Sequence, residues 1–154
     1  MATTSSTVRM LSRKASGRTR PSLASAPSVA GAKADKPICG MRPFAEMAWE
    51  FIRMAVPIVE GVSTGKWEEF KAEKPTSKSE LLRLWDEQTS ELNKKFPKIP
   101  SHRFSEVDKA FGQWEAPGLG TIQYAIDNEI HHRGQGFVYL RALGIEPPPF
   151  WERG

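Results

Sequence analysis

The stretch PGLGTIQYAIDNEIHHRGQGFVYLRALG, Pro117 to Gly144, decides the fold. Proline suits the first turn of a helix, where its missing N–H costs no hydrogen bond, and glycine suits the cap that ends one. The triple proline at Pro147, Pro148 and Pro149 forbids any continuation. Between these marks Ile122, Ile126, Ile130 and Phe137 define an apolar stripe, which predicts the longest helix of the chain. A second, polar stripe lies roughly opposite Ile130. Asn128 and His132 are i, i+4 neighbours on it; Tyr124 extends it one turn back, and Gln135 and Tyr139 extend it forward. Two readings stand. Inside a helical bundle both stripes are covered, and paired polar groups there form a metal or ligand site. On a solvated face, His131 and His132 are ordinary surface histidines. Gly134 and Gly136 each cost roughly 1 kcal/mol relative to Ala inside a helix. They mark either the close approach of a neighbour or a local irregularity.

Upstream, Phe44, Met47, Ala48, Phe51, Ile52 and Ala55 recur at helical spacing, the apolar face of an amphipathic helix. Pro57 is expected to kink or end it, with Gly61 and Gly65 at the exit. Ser77 and Glu80 form a capping box at the start of a further helix. Leu81, Leu84, Trp85, Gln88, Leu92 and Phe96 continue that helix to Pro97. Residues 97–116 read as a loop with one short helical turn around Val107 to Phe111. Glu129 and His132 also spell Glu-x-x-His, the i, i+3 pair of di-iron bundles. That chemistry needs a second such pair, and Glu50 is the only carboxylate on the first helix placed to face inward, so a di-iron centre is not expected. Glu129 and Arg133 read more simply as an i, i+4 ion pair.

With 154 residues, 39% hydrophobic and 26% charged, the chain suits one domain with one core. No window approaches the roughly 20 apolar residues a membrane span needs, so a soluble protein is expected. Residues 1–34 hold six basic side chains (Arg9, Arg13, Lys14, Arg18, Arg20, Lys33) and no acid, so of the net +4 the remaining residues carry 4 − 6 = −2. The body therefore offers no basic face for nucleic acid. Residues 1–36 are rich in Ser, Ala, Thr and Arg without apolar period, and are expected to be a disordered basic tail ahead of a domain at 37–154. An organellar transit peptide, a natural tail and a mis-assigned start all fit that composition. A single cysteine, Cys39, excludes an internal disulfide and suits a reducing compartment, so the cytoplasm is expected unless the tail directs import.

The run IDNEIHHRGQGFVYLRALGIEPP, Ile126 to Pro148, closely resembles the DinB/YfiT-like superfamily, whose last helix carries Asn-His-x-x-x-His-Arg-Gly-Gln before a Leu-Gly-x-x-Pro-Pro ending. The stretch GMRPFAE, Gly40 to Glu46, resembles that family's entry to its second helix, and the likeness extends over about residues 37–153. The resemblance implies an all-α, up-down four-helix bundle with a metal in its core. The metal is held by one histidine of the second helix and two of the last. In this sequence those positions fall on Glu50, Asn128 and His132, so one of three matches by type. Glu and His are good ligands for Zn, Mn or Fe, whereas Asn is weak and neutral; a divalent ion, Zn, Ni, Mn or Fe, would bind less tightly than to three imidazoles. The family's first helix should precede Gly40, where no helical period exists. It is missing or degenerate, and the exposed groove is then filled by the tail or by a partner chain, a homodimer being the simplest case.

Two functions follow from the resemblance. One is a metal-dependent enzyme of the thiol-transferase or hydrolase type acting on a small molecule, in which the ion activates a bound water or thiol. In the other, a non-catalytic member keeps the bundle as a binding module without the metal.

Overall fold

The computed structural model describes residues 42–151, so the tail expected over residues 1–36 lies outside the described residues. Helix α1 spans Phe44–Thr64, α2 spans Lys78–Lys95 and α3 spans Gly118–Ala142. Short 3-10 turns at Phe96–Lys98 and Ser101–Phe104 follow α2, and strands β1 (Val107–Ala110) and β2 (Trp114–Pro117) form an antiparallel hairpin before α3. The described residues are thus mostly helical, with three helices and a small two-stranded sheet.

Pro57 does not end α1, which runs on to Thr64 and stops at Gly65 in the left-handed conformation (φ 72°). A helix-interior proline costs about 3 kcal/mol. Ile58, Val59 and Val62 follow it and are almost fully buried, and each such side chain gains roughly 1.5–3 kcal/mol on burial. Continuing the helix therefore wins. The Ser77 cap forms as expected: its Oγ accepts from the Glu80 N–H at 3.2 Å, while Glu80 reaches back to the Thr76 N–H at 3.0 Å.

The stretch around Val107 is a hairpin rather than a helical turn. Its register pairs Val107 with Pro117 and Ala110 with Trp114. Phe111 and Gly112 both take positive φ (51° and 69°) in the connecting loop. That conformation costs a bulky residue about 1–2 kcal/mol. Here Phe111 packs edge-on against Trp67 at 5.2 Å and near Trp114 at 6.5 Å, which offsets the cost. Arg103 pins the loop to the end of α1. Its Nε donates to the Val62 carbonyl at 2.7 Å, and Nη2 meets Asp108 Oδ2 at 2.9 Å.

Helix α1 packs against both α2 and α3. Two core clusters lie along it. Ala48, Phe51 and Ile52 meet Leu81 and Trp85. Ile58, Val59 and Val62 meet Leu92, Ile99 and Ile122. The stripe expected to be buried on α3 is buried only at Ile122; Ile126 and Ile130 are 41% and 48% exposed. The helix presents its polar stripe to α1 instead, because α1 supplies partners for it. Between α2 and α3, above α1, a groove of about 370 Å³ stays open.

Candidate functional site

Asn128, His132 and Gln135 lie at i, i+4 and i+7 on α3, so one helix face carries all three towards the first half of α1. His132 is buried, at 7% exposure. Its ring stands edge-on to Phe51, 5.5 Å between centroids, and its Nδ1 is 2.6 Å from Gln135 Oε1. That contact fixes the ring with Nε2 towards Glu50, whose Oε1 is 3.5 Å away. Asn128 Nδ2 donates to the same oxygen at 3.2 Å. The other carboxylate oxygen, Oε2, takes the Arg42 guanidinium at 2.7 Å. Arg42 is itself held in place: the Tyr139 hydroxyl donates to its carbonyl. Two residues on, Phe44 packs against Gly136 and edge-on to Tyr139.

Burial pushes the Glu50 carboxyl up. The hydrogen bonds from Arg42 and Asn128 and the charge of Arg42 outweigh this and hold it below the usual carboxylate range. Glu50 is thus an ionised carboxylate whose two oxygens both have donors. The residues singled out in the sequence, Glu50, Asn128 and His132, come together. His131 is exposed, Tyr124 is 60% exposed on the outside of α3, and Glu129 turns towards the groove. Arg42 was missed. Nothing in the spacing of Arg42 and Glu50, eight residues apart and with one before the helix start, signals a pair. Among the described residues no group of three or more His, Cys, Asp or Glu side chains is placed to hold a metal ion.

The profile of the DinB family matches residues 59–153, more than half of the chain. The chain belongs to the DinB family. The match includes Asn128, His132 and Gln135 but begins after Arg42 and Glu50, so those two enter the site on geometry alone. A Bacillus subtilis (strain 168) protein described as "Uncharacterized protein YjoA" is 30% identical over 81 residues, or 53% of this chain and 52% of the relative. The chain therefore spans about half the length of the curated relative it matches. No helix of the described residues is long and apolar enough to cross a membrane.

Proposed function

We propose that this DinB-family chain is a non-catalytic helical module that binds a small molecule, and that the Arg42 guanidinium holds the positive charge beside Glu50 that a metal ion would otherwise supply. One observation carries this reading: Arg42 Nη1 lies 2.7 Å from Glu50 Oε2. The donors do not fit a three-ligand metal centre. One imidazole is present where the family resemblance implies three. One carboxylate oxygen is engaged by a guanidinium, whose fixed charge repels a dication. The carboxamide of Asn128 turns its nitrogen, not its oxygen, to the carboxylate, the orientation that its hydrogen bonding favours.

A second reading, a metal-dependent enzyme using Glu50, Asn128 and His132, has its own supporting observation. Anchoring one ring nitrogen, as Gln135 anchors Nδ1, is how ligand histidines are commonly oriented. Metal analysis of untagged protein, with calorimetric titration of Zn, Ni, Mn and Fe(II), separates the two. The module reading expects no stoichiometric ion in the wild type. It also expects the Glu50→His, Asn128→His double variant to bind Zn at least about tenfold more tightly, or roughly 1.4 kcal/mol. Adding His132→Ala should remove that gain. One tightly held ion per wild-type chain, lost in His132→Ala alone, would overturn it in favour of the enzyme.

A further inference from the structure

Helix α3 has a further face that the Glu50 network does not use. Leu119, Gln123, Ile126, Ile130, Arg133 and Phe137 follow one another at alternating intervals of four and three residues. That is the spacing of a coiled-coil seam. The seam points away from α1, since Asn128 and His132 occupy the opposite side of the helix. Leu119, Gln123, Ile126 and Ile130 are exposed along it, and Arg133 and Phe137 are half-buried. A contiguous apolar line left open on a helix of 25 residues marks an interface, and its period fits another helix.

The order of residues says which helix. The seam has the same character read in either direction: apolar, polar, Ile, Ile, polar, apolar. A second copy of α3, turned about a two-fold axis perpendicular to the helix and level with Asn128, sets Ile126 against the partner's Ile130, Leu119 against the partner's Phe137 and Gln123 against the partner's Arg133. Each contact then occurs twice, as in any isologous pair. The polar layer is complementary. Gln123 Nε2 donates to Asp127 Oδ1 at 2.8 Å, which leaves Gln123 Oε1 to accept. A guanidinium only donates, so Arg133 suits it, and Asp127 puts a negative charge one turn from the same layer. Other pairings are worse. A parallel pair sets Arg133 against the partner's Arg133. Sliding the antiparallel pair by a heptad sets Arg133 against the partner's Ile130, or leaves Arg133 and Phe137 with no layer opposite. We infer that α3 pairs antiparallel with α3 of a second copy in this register, and that the two Gln123–Arg133 layers fix its orientation, as single polar positions do in coiled coils. This goes beyond the module reading and does not rest on it.

The test uses the full chain carrying Cys39→Ser, so that introduced cysteines are the only thiols. Gln123→Cys and Arg133→Cys are made separately. In the proposed register the two positions face each other, whereas each lies ten residues, about 15 Å along the axis, from its own counterpart. A disulfide spans Cα atoms no more than about 7 Å apart. Mixed in reductant and then oxidised, the two variants should give the mixed dimer, which keeps one native Gln–Arg layer. Neither variant alone should cross-link. Cross-linking of each variant with itself means a parallel pair and overturns the inference. In sedimentation the wild type should be a dimer at micromolar concentration. Gln123→Arg should weaken that dimer at least tenfold, and adding Arg133→Gln should restore it. Circular dichroism checks that each variant keeps its helices, and the cross-linking pair decides where a charge variant does not. A wild-type monomer, or no recovery in the exchanged variant, overturns the inference. So does a full chain that dimerises only once residues 1–41 are removed, which would give the seam to the chain's own segment. Zinc uptake, which would sink the module reading, leaves every one of these outcomes unchanged.

Discussion

Gly134 and Gly136 are two residues apart on α3, yet alanine should act on them in opposite directions. Each sits in a helix interior, where glycine costs about 0.8–1.0 kcal/mol relative to alanine. A Cβ built on Gly134 has nothing within 4 Å, so Gly134→Ala should collect that whole gain. A Cβ built on Gly136 lies 2.9 Å from Phe44 Cε2. Carbon atoms rest at roughly 3.5–4.0 Å, so the ring must retreat by at least about 0.6 Å. Its retreat is obstructed, since Phe44 opens α1 and stands edge-on to Tyr139 at 6.4 Å. Overpacking of this kind costs about 1–3 kcal/mol, which cancels or exceeds the helical gain and leaves Gly136→Ala destabilised by roughly 0–2 kcal/mol. Urea unfolding followed by circular dichroism should therefore separate the two variants by about 1–3 kcal/mol. Phe44 also lies two residues from Arg42, so a double-mutant cycle of Gly136→Ala with Arg42→Ala should show coupling above about 0.5 kcal/mol, while Gly134→Ala with Arg42→Ala should be additive. Equal stabilisation by both alanines, or additivity in both cycles, would refute the claim that the Gly136–Phe44 contact seats Arg42.

Asp108 yields a pH prediction. Burial pushes its carboxyl up, but the hydrogen bonds from Arg103, Trp67 and the Lys109 backbone N–H prevail and hold it below the usual range. A depressed folded value means its contribution is intact above the unfolded pKa, near 3.9, and fades as pH falls below that towards the folded value. Unfolding midpoints should therefore drop less steeply for Asp108→Asn than for wild type below about pH 4, and parallel acid slopes would sink the assignment. Leu119, Ile126 and Ile130 leave an apolar stripe exposed on α3, so the chain should sediment as a dimer at micromolar concentration, and Ile130→Glu should make it monomeric. A clean wild-type monomer counts against this.

The helices were legible because their signals are local. Ser77 and Glu80 cap α2 through residues within one turn, and the spacing from Phe44 to Ala55 is that of a face which does pack. Gly65 ends α1 as its spacing suggested, but that Pro57 does not end it was not legible, because the gain from Ile58, Val59 and Val62 is tertiary and no window around the proline reveals it. The hairpin escaped because each strand has four residues and β1 buries only Ala110 fully, too little alternation to establish period two. On α3 the apolar spacing was read correctly as helical, but its facing was inverted. A face is buried by what stands opposite, and opposite this helix stand Glu50 and Phe51. The convergence of Glu50, Asn128 and His132 followed from the family likeness rather than from spacing. That Trp85 Nε1 and Gln88 Oε1 meet no hydrogen-bond partner among the described residues could not be foreseen, since a position on a helical face says nothing about missing partners.

The place of Arg42 in this site follows from an energy argument. Its side chain is 50% exposed, and an ion pair so open to water contributes about 0–1 kcal/mol, too little to be retained for stability. Glu50 is the more demanding partner: its side chain is only 20% exposed and its other oxygen meets Asn128 and His132. Without Arg42 the carboxylate would keep its charge with the Asn128 carboxamide as its only charge-independent donor among the described residues, and a partly buried anion lacking a counter-charge is disfavoured. The guanidinium therefore does more for Glu50 than the bare pair strength implies. It also fixes where the chain enters α1, because its carbonyl is tied to Tyr139 and its neighbour Phe44 to Gly136. Restoring a metal at this site thus requires exchanging Glu50 together with Asn128, because the Glu50 carboxylate is what holds the Arg42 charge beside the ligand positions.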